Sequence, residues 1–463
     1  MTTSFSHLAL EEIARGDFLC SCGQRHQTGI RAIRIGSGAT AQLIDVLAGQ
    51  KTAAGDALDP AKHVILLVED RNTRAAAGEK VEQLLRARGW RVEVCCFEKE
   101  ELVADIREVE HVESLLREEI ALLIAVGSGT LNDITKYAAF RKGLPFYIIG
   151  TAPSMDGYAS PVAPMIVGGV KYALDAKGPD AIIGDIDVIR LAPERLMAAG
   201  YGDVGGKCVS ICDWQVASLV TGETFCEPVT NTVLEAVDRC TANLPGLLRR
   251  EPEAVQAVME ALVLCGLMMN YVKSSRPASG SEHNFGHIVE MLQLFAGEPV
   301  SLHGEGVSVG SVTSCVLYQK LRTLRPDPAR TRAMLDAWDE DAWVAEMKRL
   351  CPIGWEDVLA IEEKNRKNKA DAILPRLEKT LAVWDDIMAA AEKYVPAPET
   401  LAAQFAASGA PVAPQQLGMD EDRFRDCVRY ARDMRYRYSI LQLLHDIGED
   451  GDFVSAAAEY FYN

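Results

Sequence analysis

The sequence predicts an α/β N-terminal domain built on a parallel sheet, joined to an all-α C-terminal domain. Three observations carry this prediction. Continuous apolar runs alternate with helical patterns as far as Leu191-Ala-Pro193, glycines close several of those runs, and strand signals almost vanish from Glu194 onward. Apolar strands separated by helices mark a parallel sheet covered on both faces. The predicted boundary gives residues 1–192 to the sheet domain and 193–463 to the helical one. Two domains also suit a chain of 463 residues, which is too long for one ordinary core.

The elements follow in order. Ala32-Ile-Arg-Ile35 is strand-like and ends in Gly36-Ser-Gly38, and His63 to Val68 is an apolar run ending in Glu69-Asp70. A helical stretch from Ala75 to Arg88 precedes the strand Arg91 to Val94. Leu122 to Val126 ends at Gly127, and Pro145 to Ile149 ends at Gly150. In open parallel sheets ligands bind at the carboxyl ends of the strands, where these glycines fall. Amphipathic patterns then run over Ala254–Val272, Ala342–Leu350, Lys379–Tyr394 and Phe424–Leu444, with proline-containing loops near Pro396 and Pro411.

Composition narrows the function classes. A formal charge of −18 argues against nucleic acid or an anionic membrane as partner. No apolar run approaches the ~18 residues that suggest a membrane span, and Ala261 to Met269 reads as a buried core helix. No signal-like N-terminus is visible, and 12 scattered cysteines fit reduced thiols, so a cytoplasmic location is expected. Cys20-Ser-Cys22-Gly-Gln-Arg-His26 offers three zinc-type ligands without an obvious fourth, which leaves a turn with buried thiols as the alternative.

The chemistry concentrates elsewhere. Of 8 histidines, three fall in Ser-Glu-His283-Asn-Phe-Gly-His287 and Leu-His303-Gly-Glu. Residues four apart share one helix face, so His283 and His287 point the same way, and His303 returns to their neighbourhood. Such imidazoles are common metal ligands, and the favoured carboxylate is Asp203 in Gly-Tyr-Gly-Asp203-Val-Gly-Gly-Lys207. Gly127-Ser128-Gly129-Thr-Leu-Asn-Asp133 follows a strand and opens a helix, an arrangement that exposes backbone N–H groups to phosphate. Thr151-Ala-Pro-Ser154-Met-Asp156-Gly-Tyr-Ala-Ser160 sets hydroxyls and a carboxylate after the next strand. Asp70 is placed to bind an adenosine ribose, while Arg71 beside it leaves NAD and NADP both open.

Taken in order, these motifs resemble the sn-glycerol-1-phosphate dehydrogenase family, relatives of iron-containing alcohol dehydrogenases and 3-dehydroquinate synthase. The likeness runs from Cys20-Ser-Cys22-Gly to Met434-Arg-Tyr-Arg-Tyr-Ser-Ile-Leu, with Ser275-Arg276-Pro-Ala-Ser-Gly-Ser-Glu-His283 its most specific part. The late Arg-Tyr-Arg-Tyr stretch, expected as a helix, looks like the bacterial branch. The resemblance implies a Rossmann-like, dehydroquinate-synthase-like fold and one divalent ion, zinc, nickel or iron, on Asp203, His283 and His303. It implies NAD(H) or NADP(H) along Gly127, Ser128, Gly129, Asp133, Thr151 and Ser154, with Asp70 and Ser160 assigned to the same cofactor site. Asp156 is then at the substrate and His287 near the metal, although Asn284-Phe-Gly-His287 departs from the family, whose other members show a different pair before the second histidine. Lys207, Ser275 and Arg276 are candidates for a substrate phosphate, Arg276 first because its fork matches phosphate oxygens. The implied reaction is reduction of dihydroxyacetone phosphate, the implied assembly a homodimer. The alternatives are a glycerol or polyol dehydrogenase, a lyase like dehydroquinate synthase, and a non-catalytic binding protein.

Overall fold

Strand formation follows the apolar runs, extended by a residue or two at most ends. The computed structural model describes residues 4–463. In chain order the strands are β1 (Asp17–Leu19), β2 (Arg25–Gln27), β3 (Ala32–Gly36), β4 (Val64–Asp70) and β5 (Arg91–Phe97), then β6 (Ile120–Gly127), β7 (Phe146–Gly150), β8 (Val162–Val167), β9 (Val170–Asp175) and β10 (Ala181–Asp185). Six of them form one sheet in the order β3-β10-β7-β6-β4-β5, and every neighbouring pair is parallel. β6 and β7 are buried along their whole length, as strands covered on both faces are. Because the sheet is parallel, Gly36, Asp70, Gly127, Gly150 and Asp185 end their strands at one edge, with Gly127 opposite Gly150. Two antiparallel hairpins, β1–β2 and β8–β9, stand outside this sheet.

The compact units are not divided at the predicted 192/193 boundary. The first runs up to Val204 and takes back Asn231–Ser274; the second holds Gly205–Thr230 and Ser275–Asn463. The helix Pro252–Val272 is the physical reason. Asn270 Nδ2 donates to the Ala159 carbonyl at 2.6 Å, and the Tyr271 hydroxyl donates to that of Ile13 at 2.7 Å. Its side chains fill the sheet unit although its sequence reads as part of the helical region. Among the described residues it is the one helix long and apolar enough to cross a membrane, with mean hydropathy 1.5, and 72% of that window is buried. Gly266 interrupts its apolar run, which is why no span was expected there.

The second unit is helical; among the described residues no strand follows Asp185. Two expected helices are broken. Lys379–Tyr394 divides at Val383 between Ala370–Ala382 and Trp384–Tyr394. Phe424–Leu444 resolves into Glu421–Tyr430 and Ile440–Asp446, so the Arg-Tyr-Arg-Tyr stretch is not helical. Its carbonyls are taken by side chains instead: Lys367 Nζ donates to Arg432 O and Arg435 O, and Arg276 Nη1 donates to Tyr438 O at 2.7 Å. Asp213 Oδ1 accepts from Ile440 N at 2.7 Å and so starts the next helix. Satisfied backbone groups make an irregular segment stable when buried.

Candidate active site

In the first unit the predicted cofactor residues gather at the carboxyl edge of the sheet. β6 ends at Gly127, Ser128 is extended at the N-cap, and the helix Gly129–Lys142 begins. Thr151 N donates to Gly127 O at 3.0 Å, tying the loop after β7 to this turn. Ser128 Oγ and Ser154 Oγ are hydrogen-bonded, and the Tyr158 hydroxyl reaches Ser128 Oγ at 3.4 Å and donates to Ala152 O at 2.5 Å. Burial pushes the Tyr158 hydroxyl up to about 12, so it stays a neutral donor. A helix N-terminus beside two hydroxyls is suited to a pyrophosphate.

The other residues of this group have partners of their own. Asp70 Oδ1 accepts from Thr73 N at 2.8 Å and caps the turn after β4. Asp133 is buried against Lys136 at 3.4 Å, whose amine also donates to Gly157 O and Val162 O; the pair thereby pins the loop that carries Asp156. Ser160 Oγ accepts from Val162 N at 3.1 Å in the same loop. Asp156 is buried, and its N–H donates to Asp203 Oδ2 at 2.9 Å. That bond depends on Gly200: a Cβ there would lie 1.7 Å from the Pro153 carbonyl oxygen, so only glycine lets the helix Glu194–Gly205 approach the loop. Asp203 lies in the last turn of that helix.

In the second unit three imidazoles converge. Ring centroids are 4.9 Å apart for His283 and His303, 5.5 Å for His287 and His303, and 6.2 Å for His283 and His287. Their helices, Ser281–Ala296 and His303–Leu321, meet at glycines: a Cβ on Gly286 would sit 3.2 Å from the Gly306 carbonyl carbon. Each of the two proposed ligands has a carboxylate behind it. Glu282 Oε1 lies 2.7 Å from His283 Nδ1, and Glu290 Oε1 lies 3.2 Å from His303 Nδ1. A carboxylate on Nδ1 holds the proton there and leaves the lone pair on Nε2, the tautomer that ligates a metal through Nε2. The donor set therefore fits a divalent ion. Asp213 supports the same helix from beneath, accepting from Ser281 N and from the Tyr318 hydroxyl, both at 2.6 Å. Burial, aided by Glu282, pushes its carboxyl up to about 6.

Two of the predicted phosphate residues are committed to other partners. Lys207 is wholly buried and donates to Ala278 O at 2.9 Å. The Arg276 fork grips Glu223 through Nε at 2.7 Å and Nη2 at 2.5 Å, so its charge is already balanced. Ser275 Oγ instead accepts from Arg437 Nη1 at 2.5 Å. Burial lowers both Arg437 and Arg435, with the charge of Arg276 adding to the effect on Arg437 and that of Arg437 to the effect on Arg435, and among the described residues neither forms an ion pair. Sequence reasoning missed Glu282, Glu290, Asp213 and Arg437. For the glutamates a signal existed, because Glu282 precedes His283 and Glu290 follows His287 by three residues, one turn along the helix.

Residues 35–193 match the family model described as iron-containing alcohol dehydrogenase. The chain is 30% identical over 384 residues to glycerol-1-phosphate dehydrogenase [NAD(P)+] of Bacillus velezensis, covering 82% of this chain and 85% of the relative. It is 36% identical over 278 residues to the Bacillus subtilis protein of the same name, covering 58% of this chain and 71% of the relative. Solved structures with this fold include glycerol dehydrogenase from Schizosaccharomyces pombe (TM-score 0.55, 17% identity, 93% of this chain and 91% of that one). Another is sulfoacetaldehyde reductase from Bifidobacterium kashiwanohense in complex with NAD+ (TM-score 0.60, 16% identity, 94% and 98%). With the fold, the glycine turn and the paired histidines in place, the chain belongs to the glycerol-1-phosphate dehydrogenase [NAD(P)+] family.

Proposed function

We propose that this chain catalyses the reversible, metal-dependent reduction of dihydroxyacetone phosphate to sn-glycerol 1-phosphate with NADH or NADPH. The observation that carries this reading is the pair His283 and His303, 4.9 Å apart with a glutamate on each Nδ1, in a member of this family. Asp203, His283 and His303 would hold one divalent ion, zinc, nickel or iron, whose donor types do not choose among the three. When bound, the ion supplies Lewis-acid polarisation of the ketone and the nicotinamide supplies hydride to C2.

The chain's own residues do the rest. Gly127, Ser128, Gly129, Thr151 and Ser154 orient the nicotinamide nucleotide, with Asp70 toward the ribose and Asp133 and Ser160 fixing the loop between them. Asp156 binds a substrate hydroxyl, and its position is set by the backbone bond to Asp203. His287, one turn from His283, moves the proton to or from the substrate oxygen. For the phosphate, Ser275 and Arg437 act together, while Arg276 holds the Tyr438 carbonyl and Lys207 the Ala278 carbonyl, so both shape the pocket wall. The protein acts as a cytoplasmic homodimer in this reading, which sedimentation velocity reads directly.

The test is His283→Ala. The variant is expected to lose the ion and ketone reduction together, by about 100-fold or more in rate. Metal content and cofactor absorbance with dihydroxyacetone phosphate measure both. Undiminished reduction by a metal-free variant sinks the reading.

A further inference from the structure

The hairpin β1–β2 has no part in the reaction above, yet its turn carries a second set of metal donors. Phe18 pairs with His26 across it, Cys20 N donates to Gln24 O at 3.0 Å, and Gly23 N donates to Cys20 O at 3.0 Å with Gly23 at φ +82°. This tight turn gathers the Cys20 thiol, the Cys22 thiol and the His26 ring so that their ligand atoms lie within 4.8 Å of one another. The imidazole is oriented for the purpose. It is fully buried and stacked on Tyr271 at 5.1 Å and 4°, and Nδ1 lies 2.8 Å from the Tyr271 carbonyl. The carbonyl can only accept, so Nδ1 carries the proton and Nε2 presents its lone pair to Cys22 Sγ at 3.5 Å.

Two accounts are compatible with that separation, and the second thiol decides between them. A plain thiol–imidazole hydrogen bond has a similar length but needs only one cysteine. In a tetrahedral zinc site with Zn–S of about 2.3 Å and Zn–N of about 2.0–2.1 Å, neighbouring S and N ligands stand about 3.6 Å apart. The observed spacing fits, and the second thiol is already in range.

We propose that Cys20, Cys22 and His26 bind a structural zinc ion, separate from the ion assigned to the histidine cluster. Zinc is four-coordinate, so the remaining position falls to a donor outside the hairpin; Phe5, which packs edge-on to His26 at 6.1 Å, closes one side of the ring.

The experiment uses the full chain purified under reducing conditions. Metal analysis is expected to find about one equivalent of zinc that His283→Ala retains and that Cys20→Ser and Cys22→Ser each lose. Cobalt loading of the His283→Ala protein supplies a readout independent of activity and of the catalytic ion. Thiolate ligation gives a near-ultraviolet charge-transfer band that an all-histidine and carboxylate site cannot produce. No such band in folded His283→Ala protein, or its survival in the Cys20→Ser, Cys22→Ser double variant, overturns the proposal.

Discussion

Arg437 is a cation held beside Ser275 Oγ in a segment that supplies little opposing charge. A guanidinium in such a setting is suited to a dianionic ligand, because hydrogen bonds to charged groups contribute about 1.5–3 kcal/mol. Arg437→Ala is therefore expected to raise KM for dihydroxyacetone phosphate by roughly 10–100-fold and to leave that for unphosphorylated dihydroxyacetone nearly unchanged. Steady-state kinetics on the two ketones measures this; equal changes on both would remove Arg437 from the phosphate. The sequence pointed to Arg276 because its guanidinium fork matches phosphate oxygens. It could not reveal that Glu223, 53 residues earlier, takes both arms of that fork. The metal-type residues were legible because helical spacing alone puts His283 and His287 on one face, whereas Asp213 and Arg437 matter only through distant contacts.

Helices carrying the histidines approach so closely that glycine is required where they cross. A Cβ on Gly310 would lie 2.4 Å from the backbone oxygen of Glu282, a harder conflict than the 3.2 Å at Gly286. Alanine in a helix gains up to about 1 kcal/mol over glycine, and overpacking of this kind costs about 1–3 kcal/mol. Gly310→Ala should thus be destabilised and the more so of the two, and it should also bind metal less tightly, since Glu282 supports His283. Urea unfolding with metal titration provides the comparison, and a stabilised Gly310→Ala would contradict it. At this scale the sheet was the most readable part: β3, β4, β6 and β7 begin and end close to their apolar runs. β1 and β2 were not, because three-residue strands show no usable alternation. The helix expected through Arg435 and Arg437 failed because side chains from other elements captured its carbonyls.

Protonation is felt by the molecule as a whole. Asp213 has a folded pKa of about 6 against 3.8 for an unburdened carboxyl, so the native state holds this proton more tightly than the unfolded chain. Its contribution to stability is complete below the lower value and disappears as pH rises through the higher one, on the order of 3 kcal/mol in all. Asparagine lacks that proton. The stability advantage of the unsubstituted protein over Asp213→Asn should therefore grow as pH falls from about 6.5 to about 4.5 in chemical denaturation. A constant difference would show that Asp213 does not titrate in this window. The division of the chain was the least legible feature of all, since nothing in the composition of Pro252–Val272 tells which core it serves.

That helix imposes an order on biosynthesis. The sheet unit is interrupted after Val204 and resumes at Asn231, and its closing helix ends only at Val272. A nascent chain that has emerged as far as β10 still lacks the apolar lid of its own core, and the ribosome must deliver roughly ninety more residues before the lid can dock. Until then the exposed strands and the most hydrophobic segment of the chain are both clients for holding chaperones.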